Sequence, residues 1–600
     1  MSAATEVART REGRSSVRAA LARLWQYVLR NRGYYAVWAV LTLGYSAAFL
    51  GVPILSGRTV RAAEAWFRGE VAIDAVVHLS VLVAGIGVVG GVLRYFSRVL
   101  VFNAAREIEY ELRGDLYAHL QRLPQSFYFR QRTGDLMSRC VNDLNSVRLM
   151  LGPGLLSILQ TPILLGGALV VMLLMDWQLA LLAFAPYPLF ILIARTFGRG
   201  VHHWSMAVQE GLGDLSNQLQ EAIAGISVVK TYAMEPVMRQ RFAVINEELY
   251  RRHLGLVRVN GAMPAITSLL PSLGLLLVFA VGGAKGIPKD QFFTFAMLIY
   301  QLTFPTFIMG WVVALVQRGA AAMQRIDEVL ATEPSIADRP DRVPLESLRG
   351  EIEFRHLTFV YPGAGREPAL RDVCLHVPAG STLGIVGPVG SGKTTLASVI
   401  PRLYEVEDGQ VLIDGVDVNR IPLRTLRRSI AMVPQDSFLF SMTLAENVAY
   451  GLERPDTERV ALAVERAQLT RDLAELPHGL GTLVGERGVM LSGGQRQRTA
   501  LARALALDPS ILILDDTLSS VDAATEEAIQ RNLEEVFGGR TVVIISHRVS
   551  SVRDCDRIAV LEDGELTELG SHKELLLHGG LYARLARQQA LEAELEEDVA

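Results

Sequence analysis

The segment GPVGSGKTT, Gly387–Thr395, places its glycines and its lysine in the spacing G-x-x-x-x-G-K-[ST]. Glycines at 387, 390 and 392 let the backbone curl until several N–H groups point at one spot. A phosphate chain fills such a cradle, and the helix that follows adds a favourable dipole. Ser391 and Thr395 belong to the same turn, Lys393 reaches β- and γ-phosphates, and Thr394 offers a hydroxyl to Mg²⁺. Lysine is scarce in this chain, so a lysine inside this pattern is informative. A second stretch, ILILDDTLSSVD at 511–522, brings an apolar run to two adjacent aspartates. The run reads as a buried strand delivering Asp515 at its C-terminal end, where a carboxylate holds Mg²⁺, usually through water. Either motif alone is weaker than the two together, which make the parts of an ATP-hydrolysing site.

A third motif narrows the reading. LSGGQRQR, Leu491–Arg498, opens a helix with a serine and two glycines and is itself a phosphate-binding helix start, although the chain already has one. On these residues the chain resembles the ATP-binding cassette (ABC) transporters, and the resemblance covers nearly the whole chain. It implies that Leu491, Ser492, Gly493, Gly494 and Gln495 of one cassette close over ATP held by the glycine loop of another. It further implies that Tyr361, in FVYPG, stacks on adenine, a contact worth ~1–3 kcal/mol by analogy with base stacking. Gln435, in VPQD, then touches Mg²⁺ together with Thr394 and Asp515, and Asp522 lies in the loop that crosses the dimer. His547, in IISHR, contacts the γ-phosphate, and TLVGERG at 482–488 matches a coupling segment of the exporter branch. A lone histidine or tyrosine is more often a packing residue; their order around two phosphate motifs argues otherwise.

The residue after the magnesium aspartate is usually glutamate in active sites of this family, where it acts on the attacking water. Here it is Asp516, one methylene shorter. A base must come within ~2.6–3.2 Å of the proton it takes, and a misplacement of ~1 Å can cost about 10²-fold. Asp516 is therefore expected to hydrolyse poorly while ATP still binds, with Gln435 and His547 as the other catalytic residues. With its own LSGGQ intact, the chain resembles the weakly hydrolysing half of heterodimeric bacterial ABC exporters, whose partner chain carries the glutamate. The alternatives are a homodimer with two slow sites and a non-transporting ATP-gated membrane protein.

These residues need elements to hold them. The chain has 600 residues, half of them hydrophobic, with a mean hydropathy of +0.27, more apolar than an ordinary soluble protein. The formal charge of −4 gives no sign of a nucleic-acid partner. Cys140, Cys374 and Cys555 are scattered, without metal-ligand spacing, and read as free thiols in a reducing compartment. Six apolar stretches, at about 34–57, 75–102, 154–175, 177–197, 262–283 and 291–316, are each long enough to cross ~30 Å of hydrocarbon. Long arginine-rich segments join the second to the third and the fourth to the fifth. The positive-inside rule places them, the N-terminal leader and the C-terminal half in the cytoplasm. The helical periodicity of AREIEYELRGDLYAHLQRL predicts helices that run far out of the membrane and return.

The expected organisation follows. Residues 1–33 are a cytoplasmic N-terminal segment: a disordered basic leader, then an interfacial amphipathic helix from Leu21. Residues 34–330 form a six-helix transmembrane domain with long cytoplasmic extensions. Its coupling segments, near 126–132 and 221–230, resemble those of ABC exporters. Residues 331–349 are a linker, 350–586 an α/β P-loop cassette and 587–600 an acidic tail. One such chain is a half-transporter, and two are required. The expected cofactors are ATP and Mg²⁺. The expected partners are a second related half-transporter chain, membrane lipid, and an exported small amphipathic or hydrophobic molecule, lipid or peptide, with no nucleic acid. The expected location is a bacterial inner membrane. Six spans in the same chain disfavour a soluble ABC-type ATPase, and the exporter-like coupling segments disfavour an importer.

Overall fold

A computed structural model of the chain describes all residues except 1, 2, 363–366, 486–490, 518–528, 530, 532–537 and 600. It gives backbone alone for 3–16, 187–191, 194, 195, 263, 264, 266–268, 270, 304, 306, 307, 309 and 592–599. The chain divides into two compact units, residues 1–118 with 134–331, and residues 119–133 with 332–600.

The described part of the first unit is helical. Each apolar stretch of the sequence lies in helix: Arg32–Phe67, Ile73–Leu120, Leu155–Met175, Trp177–Phe184 with Tyr187–Ala224, Glu235–Ala284 and Lys289–Leu330. Among the described residues, three helical segments are long and apolar enough to cross a membrane: Arg32–Phe67, Ile73–Leu120 and Thr133–Met175. The helices outrun any bilayer. Ile73–Leu120 has 48 residues and Glu235–Ala284 has 50, which at 1.5 Å per residue is about 70–75 Å against ~30 Å of hydrocarbon.

Two details differ from the sequence expectation, and a third is a feature it does not address. The stretch 177–197 is interrupted at Ala185 and Pro186, because Pro186 lacks an N–H for the ladder and its ring crowds the preceding turn. The N-terminal helix runs Ala3–Arg30, through the residues before Leu21 that were expected to be a disordered leader; they are rich in Ala, Glu and Arg, all strong helix formers. One face of that helix is packed inside the unit: Ala20, Leu24 and Tyr27 are buried, Tyr27 Oη donates to Asp115 at 2.7 Å, and Arg23 pairs with Asp327 at 2.7 Å. The third is a pair of π turns, Arg139–Asp143 and Met150–Gly154. The first leads to the buried Asp143, whose carboxylate accepts two bonds from Arg325 at 2.6 and 2.9 Å.

The second unit carries two sheets. Its strands, in chain order, are β1 (Ile352–Phe359), β2 (Leu370–Val377), β3 (Thr382–Val386), β4 (Val411–Ile413), β5 (Val416–Asp417), β6 (Ile430–Val433), β7 (Ile511–Asp515), β8 (Thr541–Ile545), β9 (Arg557–Glu562) and β10 (Glu565–Gly570). The smaller sheet is antiparallel, in the order β2-β1-β4-β5. Asp414 and Gly415, both at positive φ, make the β4–β5 turn that the Asp-Gly pair predicts. The larger sheet has the order β10-β9-β3-β8-β7-β6. All its pairings are parallel except β9 with β10. Every residue of β7 is buried, which is why ILIL reads as an unbroken apolar run rather than an alternation. In such sheets ligands bind beyond the carboxyl ends of the strands. Here the loops after β3, β6, β7 and β8 carry Gly387–Gly392, Gln435, Asp516 and His547.

Candidate nucleotide site

The glycine loop joins β3 to the helix Lys393–Val399. Two glycines are dictated by geometry. At Gly387 (φ 155°) a Cβ would run into the carbonyl oxygen of Leu561, and at Gly392 (φ 97°) it would lie 2.7 Å from the carbonyl oxygen of Ala369. No other residue fits either place without moving backbone. Lys393 is buried, and its Nζ donates to the loop's own carbonyls at Gly387 (3.0 Å) and Pro388 (2.7 Å). Burial holds its amine below the usual lysine range, against the opposing charges of Asp515 and Asp516. Ser391 is buried with a hydroxyl that finds no hydrogen-bond partner.

Asp515 ends β7 and is 2 % exposed. Its Oδ2 is buried without a partner. Burial pushes its carboxyl above the usual range; the Thr394 hydroxyl bond opposes that, the Asp516 charge adds to it, and Lys393 and His547 oppose it. A buried carboxylate with an orphaned oxygen beside a threonine hydroxyl is a donor set that fits a hard divalent cation such as Mg²⁺. Asp516 turns away from the strand with φ 46°, its N–H held by the carbonyl of Ile545 at 2.8 Å. Its Oδ2 accepts from Gln435 Nε2 at 3.4 Å. Tyr361 packs edge-on against Phe359 and Tyr404, and its hydroxyl lies 2.8 Å from Thr395 Oγ1.

A cavity of about 980 Å³ opens between these groups, lined by Tyr361, Thr394, Tyr404, Gln435 and Asp515 among others. Its rim includes Gln125, Phe129 and Arg130 from the short helix Gln125–Arg130, which belongs to the same unit. The volume and the phosphate cradle suit a nucleotide.

The family model for the ABC transporter transmembrane region matches residues 37–306, and that described as ABC transporter matches 370–519. The chain is 36 % identical to an ATP-dependent lipid A-core flippase of Syntrophus aciditrophicus over 85 % of each chain. It is 35 % identical to the multidrug resistance-like ATP-binding protein MdlA of Escherichia coli, over 85 % of this chain and 87 % of that one. This chain is an ABC transporter of the exporter type. A solved bacterial Atm1-family ABC exporter with ATP bound superposes with a TM-score of 0.77 at 28 % identity, covering 93 % of this chain and 98 % of that one. The chain is thus an integral membrane protein in which an ATP-binding cassette follows an exporter-type transmembrane region.

In this ABC exporter the signature serine caps its helix. Ser492 Oγ accepts from the N–H of Gln495 at 3.2 Å, and Gln495 Oε1 accepts from the N–H of Ser492 at 3.0 Å. Gln495 Nε2 also donates to Asp472 at 3.2 Å, which Arg498 meets at 3.0 Å. Among the described residues, none from Leu491–Gln495 lines the cavity beside Asp515. His547, two residues beyond β8, is exposed, and Gln589 Nε2 donates to its carbonyl at 2.7 Å. Asp522, expected in the dimer-crossing loop, lies outside the described residues, as does the 486–488 end of the coupling segment. Sequence reasoning did not single out Tyr404 or Ser398; a tyrosine beyond the helix that follows the lysine loop carries no pattern of its own.

Proposed function

We propose that this exporter chain is one half of a dimer that moves amphipathic or hydrophobic small molecules, lipids or peptides out across a bacterial inner membrane, with its cassette in the cytoplasm. The names of the relatives, a lipid A-core flippase and a multidrug resistance-like protein, support the lipid and small-molecule part of that range. Six spans in residues 34–330, a linker at 331–349 and a cassette at 350–586 are the organisation it requires.

In this reading the loop N–H groups of Gly387, Gly390, Ser391 and Gly392 hold the phosphates with Lys393 and Thr395, and Tyr361 carries the adenine. Thr394, Asp515 and Gln435 hold Mg²⁺, which neutralises charge on the phosphates when bound. Leu491, Ser492, Gly493, Gly494 and Gln495 serve the partner's nucleotide, and Asp522 crosses to that partner. Nucleotide favours the closed pair of cassettes and so shifts the membrane helices to the outward-facing state, and hydrolysis returns them. Asp516 takes the proton of the attacking water, with His547 at the γ-phosphate.

The observation that carries the finer reading is Asp516 itself. Its backbone is tied to Ile545 at 2.8 Å, and its arm is one methylene short of glutamate. We infer weak hydrolysis here and a partner chain that bears the glutamate. A second reading, a homodimer with two slow sites, is favoured by the presence of both LSGGQ and His547, which lets two copies complete each other. Native mass spectrometry of the gently extracted complex from its own host separates them. A second, related chain of similar size supports the heterodimer; two copies of this chain overturn it.

A further inference from the structure

Away from the nucleotide site, the exposed face of the β1–β2 pair gathers three donors of metal-ligand type: His356, Asp372 and Cys374. Their ligating atoms all lie within 4.8 Å of one another. Two irregularities of the sheet bring them together. Pairing runs Phe354 with Leu375, Leu357 with Val373, then Phe359 with Leu370, so β1 carries one extra residue in the first step and β2 one in the second. Each bulge holds a non-glycine residue in the left-handed region, His356 at φ 49° and Asp372 at φ 48°. Bulges re-aim side chains, and these two turn His356 and Asp372 toward Cys374, which regular alternation already exposes. The bulges are fastened: the N–H of Asp372 donates to Thr358 Oγ1 at 3.1 Å, and the N–H of His356 to Cys374 Sγ at 3.4 Å.

We propose that His356, Asp372 and Cys374 form a binding site for a thiophilic divalent cation of the Zn²⁺ class. The donors converge on one point. His356 Nδ1 lies 2.7 Å from Asp372 Oδ1 and 3.6 Å from Cys374 Sγ. A catalytic Cys-His-Asp relay would need the imidazole to bridge its neighbours through two different nitrogens. Here a single nitrogen faces both, the arrangement of ligands around a shared ion. Tetrahedral zinc, with Zn–S near 2.3 Å and Zn–N near 2.0–2.1 Å, sets sulfur and nitrogen about 3.6 Å apart and nitrogen and oxygen about 3.4 Å apart. The first separation is already present, and the second needs the carboxylate to swing back by about 0.7 Å. All three side chains are exposed, so that swing displaces solvent rather than packed neighbours. The backbone N–H of His356, aimed at the Cys374 sulfur, supplies the kind of supporting hydrogen bond that a metal-bound thiolate accepts. His376, next along the same strand face, is engaged by Glu351 at 2.7 Å, which leaves the fourth position to water. A thiolate and an imidazole select Zn²⁺ over Mg²⁺ and Ca²⁺.

The test uses the untagged full-length protein in detergent, stripped with chelator, with Mg²⁺ in excess to occupy oxygen-ligand sites. Co²⁺ is titrated in as a spectroscopic probe and then displaced with Zn²⁺. The expected result is one Co²⁺ per chain with a thiolate-to-cobalt charge-transfer band. Cys374→Ser abolishes the band, and His356→Ala and Asp372→Ala each weaken binding about tenfold or more. Cys140→Ser and Cys555→Ser leave it unchanged, and unaltered melting temperatures show that the surface variants fold. No band in the wild type, or a band that survives Cys374→Ser, overturns the proposal.

Discussion

Replacing Asp516 by glutamate restores the missing methylene in a backbone the structure holds in place. The N–H of Asp516 is bonded to the carbonyl of Ile545 at 2.8 Å at the end of a fully buried strand, so the loop cannot slide forward to compensate for a short arm. One further carbon–carbon bond carries the carboxylate about 1.5 Å farther from that fixed backbone. A misplacement of ~1 Å costs about 10²-fold, so Asp516→Glu is expected to raise kcat for ATP about 10- to 100-fold. KM for ATP should hardly change, because in the proposed role the added reach acts on the attacking water rather than on the bound nucleotide. The left-handed φ of 46° is less comfortable for glutamate than for aspartate, and a cost of about 1 kcal/mol in stability is expected alongside the gain. The assay is steady-state phosphate release from the purified dimer, with any partner's own site silenced at its loop lysine. A variant that folds, binds ATP and turns over no faster than wild type would refute the reasoning from arm length.

Asp515→Asn removes a buried carboxylate with an unpartnered oxygen and is expected to stabilise the nucleotide-free chain by about 1–3 kcal/mol while abolishing Mg²⁺-dependent turnover. Because burial raises this carboxyl's pKa, the cost of burying its charge is full above the folded pKa and gone below the unfolded one, so thermal melts should show the gain shrinking as pH falls through that window. Arg325→Ala strands Asp143 in the first unit and should cost about 2–3 kcal/mol in chemical denaturation, less than a fully buried pair because Arg325 is half exposed. Gly387→Ala sets a Cβ against the Leu561 carbonyl and should abolish binding of a fluorescent ATP analogue, whereas Gly390→Ala, which meets no neighbouring atom but must hold alanine at a left-handed φ of 84°, should weaken binding without abolishing it.

The candidate site was legible in the sequence where its parts are local. A phosphate cradle needs glycines at fixed offsets from one lysine, and a carboxylate suited to a metal needs an apolar strand that ends in aspartate, so one short run of residues suggests each. The long helices were legible too, since about twenty apolar residues in a row leave few other solutions. What the sequence could not say is how these pieces meet. That Gln435 touches Asp516 and that Asp515 keeps an oxygen unpaired depend on β3, β6, β7 and β8 sharing one sheet, although β3 ends at Val386 and β7 begins only at Ile511; that Tyr361, just past β1, reaches Thr395 depends on the smaller sheet packing into one core with the helix after β3. The same is true of Asp143 and Arg325, which a π turn brings into register across 182 positions. His356, Asp372 and Cys374 show the limit most plainly. As spaced in the chain they match no ligand pattern, and Cys374 reads as a free thiol. Two one-residue bulges, set by how β1 and β2 pair, put the three donors around one point.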